Sequence, residues 1–139
     1  MHQKLTDRKR FSKNRIIRDT LNFNSTGYDN TANGSSALYF NTSGTSNVAV
    51  GKNTLYNNNG SLASYNTAIG NKALFNTTNS QYNTALGYIA GANYDNGYNN
   101  VFVGANVDVN RAGYYNLIAI VNGTICTASS LVPLVNAAA

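Results

Sequence analysis

Asn66-Thr-Ala-Ile-Gly70, followed at once by Asn71-Lys-Ala-Leu-Phe75, is the stretch from which the fold is read, because the chain keeps repeating it. Its first half returns as Asn47-Val-Ala-Val-Gly51, Asn83-Thr-Ala-Leu-Gly87, Asn100-Val-Phe-Val-Gly104 and, degraded, Asn116-Leu-Ile-Ala-Ile120. The leading asparagines stand 19, 17, 17 and 16 residues apart. Its second half alternates with the first as Ala37-Leu-Tyr39, Thr54-Leu-Tyr56, Ala73-Leu-Phe75 and a drifted Ile89-Ala90. A period held this closely marks a stacked repeat, in which each unit buries its apolar face against the next copy.

Each period holds two short apolar phrases separated by turn formers. Asn33-Gly34, Asn59-Gly60 and Asn96-Gly97 are turn signals between them, since Asn and Gly tolerate the positive φ that tight turns demand. A five-residue strand covers about 17 Å, and two such strands with two turns close one coil. Coils then stack in parallel register, and five of them make a stub roughly 25 Å long. The expected architecture is therefore all-β: a parallel β-roll of about five coils.

Side chains alternate across a strand. One face of the main phrase collects Val48/Val50, Thr67/Ile69, Thr84/Leu86 and Val101/Val103; the other collects Ala49, Ala68 and Ala85. The small row suits the narrow interior of a flattened coil, which sends the branched row outward. Phe102 interrupts the small row: either the last full coil is wider, or the two faces are reversed. The outward row Val50, Ile69, Leu86 and Val103 would form a large apolar patch if left in water. Each such side chain contributes about 1.5–3 kcal/mol when fully buried, so burial against sister chains is expected, with oligomerisation a part of folding. Asn47, Asn66, Asn83 and Asn100 open the complete phrases at one offset, which predicts a ladder of amides hydrogen-bonded up the stack.

Composition agrees with strands. The 139 residues are rich in Asn, Thr, Ser, Gly and Tyr, with no Glu or Trp and one each of His, Cys, Met and Pro. The net charge of +5 is unevenly placed: residues 1–18 carry seven basic side chains against Asp7, and the rest carries Lys52, Lys72 and Arg111 against four aspartates. The repeat body has no basic stripe with which to follow a phosphate backbone, so no nucleic-acid partner is expected. No stretch approaches the ~20 apolar residues of a membrane helix, so no membrane insertion by this segment is expected. Four regions follow: a basic leader at 1–20, disordered or a short helix; an irregular stretch or worn first coil at 21–36; the repeat domain at 37–121; and an irregular tail at 122–139.

The phrases Asn66-Thr-Ala-Ile-Gly-Asn-Lys-Ala-Leu-Phe75 and Tyr82-Asn-Thr-Ala-Leu-Gly-Tyr-Ile-Ala-Gly91 resemble the head repeats of trimeric autotransporter adhesins and the related repeats of phage tail-fibre proteins. The resemblance spans roughly residues 34–121. It implies a left-handed parallel β-roll, a homotrimer, and a place on a bacterial cell surface or a virion. The function it implies is attachment to a host-surface protein or glycan, as an adhesin or, alternatively, as a tail-fibre segment for host recognition. The periods of 16 to 19 residues exceed the tight adhesin-head repeat, so the loops must bulge.

Catalytic chemistry is not legible. His2 has no second histidine with which to build a zinc site, and lone Cys126 reads as a small buried apolar side chain. Asp95 and Asp108 read as turn residues rather than a paired acid and base. Asn-x-Ser/Thr triplets begin at Asn24, Asn33, Asn41, Asn59, Asn76 and Asn122, but a chain this rich in Asn writes several by chance, and no glycosylation is inferred. No enzyme activity, cofactor or metal is expected. Tyr82, Tyr88, Tyr94, Tyr98, Tyr114 and Tyr115 crowd the second half. Tyr offers contact area with a hydrogen-bonding tip, which makes Tyr94 and Tyr98 the candidate receptor contacts.

Overall fold

The computed structural model describes residues 18–110 and 112–127. It is an all-β solenoid of parallel strands, with no helix among the described residues. In chain order the strands are β1 Thr31–Asn33, β2 Val48–Val50, β3 Thr67–Ile69, β4 Thr84–Leu86, β5 Val101–Val103, β6 Asp108–Val109, β7 Ile118–Ile120 and β8 Ile125–Cys126. One six-stranded sheet runs β1-β2-β3-β4-β5-β7, and β6 pairs with β8 in a second, two-stranded sheet. The strands are two or three residues long, shorter than the five-residue phrases, because positive-φ residues bend the chain at each end.

The repeat sets the register residue by residue. Ala32, Ala49, Ala68, Ala85, Phe102 and Ala119 are successive partners up one column. Two details refine the reading of the phrases. The stretch at 21–36 is the worn first coil rather than irregular, its Asn30-Thr-Ala-Asn-Gly34 supplying β1 outside the five phrases. The degraded last phrase is also shifted by one residue: Ile118 pairs with Val101, so Leu117, not Asn116, takes the leading position. At the other end the coil runs on through β8 into the stretch expected to be an irregular tail. The leader up to residue 17 and the tail from residue 128 lie outside the described residues.

The second phrase supplies the opposite wall. Leu21, Leu38, Leu55 and Leu74 donate their N–H groups to the next coil's Ala37, Thr54, Ala73 and Ala90 carbonyls at 2.9–3.0 Å. The last three of these leucines are fully buried although they hold φ of 51°, 50° and 47°. A left-handed conformation costs a branched residue about 1–2 kcal/mol, and full burial of the side chain, about 1.5–3 kcal/mol, offsets it. Gly70 shows why the main phrase ends in glycine: φ is +135°, and a Cβ there would run into the carbonyl of Gly87 on the next coil.

The interior is narrow where it holds alanine and wide in one place. Phe102 is fully buried and packs on Tyr94, ring centroids 5.2 Å apart. Gly91 makes the room, since a Cβ at that position would stand 2.8 Å from the Phe102 ring and 2.9 Å from Leu74. The small row therefore faces inward throughout, and the fifth coil is widened by replacing the wall leucine with glycine.

Candidate functional site

Three kinds of array run along the solenoid: asparagine ladders, an apolar sheet face and stacked aromatics. The first is the asparagine column. Oδ1 of Asn47 accepts from the backbone N–H of Asn66 at 2.9 Å and from its Nδ2 at 3.2 Å. Asn66 receives the same pair from Asn83, both at 3.1 Å, and Asn83 receives it from Asn100 at 3.0 and 2.9 Å. Nδ2 of Asn47 and Asn66 also donates to the carbonyls of Ala63 and Ser80, at 2.9 and 2.8 Å. Each amide so satisfies a neighbour's backbone, its neighbour's side chain and a turn carbonyl. Asn30 begins the column one coil before the four asparagines singled out from the phrases.

A second ladder escaped the sequence reading. Nδ2 of Asn41 donates to Oδ1 of Asn24 at 2.8 Å, Asn58 does the same to Asn41 at 2.7 Å, and Thr77 continues it to Asn58 at 3.4 Å. Its signal was present in the spacing of 17 between Asn24, Asn41 and Asn58. The asparagine-rich spacers hid it.

Tyr94 extends this second column, which corrects its assignment as a receptor contact. It is fully buried, and its hydroxyl bonds the Tyr114 carbonyl and the Asn100 amide. Gly97 leaves the space for that hydroxyl, which a Cβ would occupy. Tyr114 is likewise buried, with its hydroxyl donating to Oδ1 of Asn110 at 2.7 Å. Tyr98, the other candidate, is exposed.

The second array is the outer face of the six-stranded sheet. Val50, Ile69, Leu86, Val103 and Ile120 form one column, and Val48, Thr67, Thr84, Val101 and Ile118 the adjoining one. Ile69 is 41% exposed and Leu86 48%, against zero for Ala68 between the two columns. The face is in register and free of charge.

The third array is aromatic. Tyr39, Tyr56 and Phe75 stack at 5.0 Å with planes 5–9° apart, flanked by stacked Phe23 and Phe40. Lys72 caps the end of this stack, Nζ lying 5.7 Å from the Phe75 centroid. At the entry to the sheet, Tyr65 stacks on Tyr82 at 4.9 Å, and Tyr98 on Tyr115 at 5.3 Å.

Asp108 lies in β6 rather than in a turn, and is buried. Its carboxylate accepts from the Val109 N–H at 2.9 Å and from Nδ2 of Asn93 at 2.8 Å. Burial raises its pKa from the ordinary carboxylate value, against the pull of those donors. Asp95 accepts from the neighbouring Asn96 N–H at 2.9 Å instead. The two carboxylates engage different partners and do not form a pair. Burial also raises the Cys126 thiol. Among the described residues no cluster of His, Cys, Asp and Glu is placed to hold a metal ion, and no helix is long and apolar enough to cross a membrane.

Comparison of the chain with protein-family models, with curated proteins and with solved structures matches nothing.

Proposed function

We propose that this chain is a non-enzymatic structural and attachment module, assembled as a homotrimer and displayed on a cell surface or virion. The observation that carries this reading is the exposed row of Ile69 and Leu86, flanked by Val50 and Val103 on an uncharged sheet face. Monomeric proteins rarely leave such a contiguous apolar face in water. Three copies turned face to face remove it, and the same turn then displays three sets of polar corners and tyrosines. The repeat phrases, with their likeness to adhesin heads and tail fibres, support the same reading.

The mechanism is geometric. The two internal ladders fix the rungs, the rungs align the apolar columns, and assembly multiplies weak surface contacts into strong attachment. Beads coated with the full chain are expected to adhere to host-cell or polysaccharide surfaces. Beads coated with Leu86→Lys should adhere far less at equal loading, because linked sites exceed single ones by about 10²–10⁴ in avidity. Equal adhesion by both would remove assembly from the mechanism, and adhesion by neither would remove attachment.

A further inference from the structure

The corner that leads into the six-stranded sheet carries a pattern which the ladders and the apolar face do not use. Four successive coils place one tyrosine and one hydrogen-bonding side chain there: Ser64 and Tyr65, Gln81 and Tyr82, Tyr98 and Asn99, Tyr115 and Asn116. Gln81, Tyr98 and Tyr115 are parallel-bridge partners up one column. The strand register places Tyr65, Tyr82, Asn99 and Asn116 in the next. The ring thus changes column between the fourth and fifth coils while every rung keeps one ring and one polar group. All four tyrosines are exposed, between 42% and 52%. Asn99 and Asn116 are exposed as well, linked by Nδ2 to Oδ1 at 3.3 Å. None of the eight side chains carries a charge.

From this juxtaposition we propose that the strip is a binding site for a linear neutral polysaccharide lying along the solenoid axis. The proposal rests on the attachment reading and names its ligand class. A sugar ring has an apolar C–H surface and a rim of hydroxyls, and each rung offers one group for each. The exposed ring supplies contact area with a polar tip, and the neighbouring amide or hydroxyl supplies donors and acceptors. Two stacked ring pairs, Tyr65–Tyr82 at 4.9 Å and Tyr98–Tyr115 at 5.3 Å, give a sugar chain two successive apolar contacts along the strip. A protein partner would be held by isolated anchors in pockets instead. The lack of positive charge on the strip disfavours acidic glycans.

The test uses the full chain and four neutral hexasaccharides, built of β-1,4-glucose, β-1,4-N-acetylglucosamine, β-1,4-mannose and α-1,4-glucose, with a heparin hexasaccharide as the acidic control. Saturation-transfer NMR should detect at least one neutral hexasaccharide. Its Kd should weaken by about tenfold or more in the Tyr82→Ala, Tyr98→Ala variant, and stay within a few-fold in Tyr82→Phe, Tyr98→Phe. If the alanine pair loses its far-UV β signal, Tyr82→Leu, Tyr98→Leu takes its place, with the same weakening expected. Binding of none of the neutral sugars, or binding unchanged in folded variants, overturns the proposal. So does a fall in solution mass of the alanine pair, which would assign these tyrosines to the contact between copies. Coated beads that still adhere while no hexasaccharide binds would sink the sugar site alone and leave the attachment reading standing.

Discussion

The backbone N–H of Leu117 donates to Oδ1 of Asn100 at 3.0 Å, and there the asparagine column ends. Leu117 receives the ladder's last acceptor but, lacking an amide, passes nothing on. It is fully buried, so the sixth coil closes the interior with an apolar side chain. Up to Asn100 the column repeats one link, a backbone N–H and an Nδ2 both donating to the Oδ1 of the coil before.

Removing a middle link should therefore cost more than any exposed substitution. Asn66→Ala keeps the backbone N–H bond to Asn47 but deletes the Nδ2 bonds to Asn47 and Ser80 and the Oδ1 that accepts from Asn83, leaving buried partners unsatisfied. The expected loss is about 3 kcal/mol, since each unsatisfied buried group costs about 1–3 kcal/mol. Urea unfolding followed by far-UV circular dichroism checks it; a midpoint within error of the parent would show that the ladder is decoration.

Gly97 and Tyr94 should behave as one unit. A methyl at Gly97 falls where the Tyr94 hydroxyl sits, so Gly97→Ala must displace a fully buried ring. A loss of about 2 kcal/mol or more is expected from overpacking. In a Tyr94→Leu background the same exchange should cost less. The double-mutant cycle then reports a coupling of about 1 kcal/mol or more. Additive losses would assign the cost of the methyl to the Tyr114 carbonyl, which it would also meet, and not to the hydroxyl.

Stability should depend on pH at both extremes. The Asp108 pKa is raised by burial, so the native carboxyl holds its proton more tightly than the unfolded one. Stability then falls as pH rises from about 4, the ordinary carboxylate value, through the raised native value, and the deficit persists above it. Asp108→Asn should flatten that slope in thermal melts taken between about pH 4 and 7. Burial, and next the nearby Tyr98, raise the Tyr94 phenol as well. Above about pH 10 the unfolded tyrosine ionises while the native one does not, so stability falls again. Tyr94→Phe should remove this alkaline loss; if both variants melt like the parent across the range, these two groups do not set the pH dependence.

Much of this was legible in the sequence, and the reasons differ by residue. Ala49, Ala68 and Ala85 announced a narrow interior because only small side chains fit there, and the parallel register followed from their spacing. Of the two readings of residues 21–36, the worn first coil is the one the structure holds, and Asn30-Thr-Ala-Asn-Gly34 looks worn because Asn33 stands where the other phrases have an aliphatic residue. The shift at Leu117 was hidden because an asparagine happens to precede it. Tyr94 and Tyr98 look alike in the sequence, but Tyr94 lies 17 residues after Thr77, on the inward column of the second ladder. That offset was readable; the space cleared by Gly97 was not, since it depends on how two coils meet.

The exposed apolar columns bear the weight of the functional account. Ile69→Lys with Leu86→Lys places two charges on the outer face without touching the buried Ala68 or Ala85. The rungs should survive, and the contact between copies should not. Far-UV circular dichroism should therefore match the parent, while adhesion of coated beads falls.

The most direct measurement is the solution mass of the full chain by light scattering, with the double-lysine variant beside it. The account predicts a parent mass three times that of the 14.9 kDa chain, and a single-chain mass for the variant with its β signal intact. A parent that is folded, monodisperse and single-chain at micromolar concentration would contradict it.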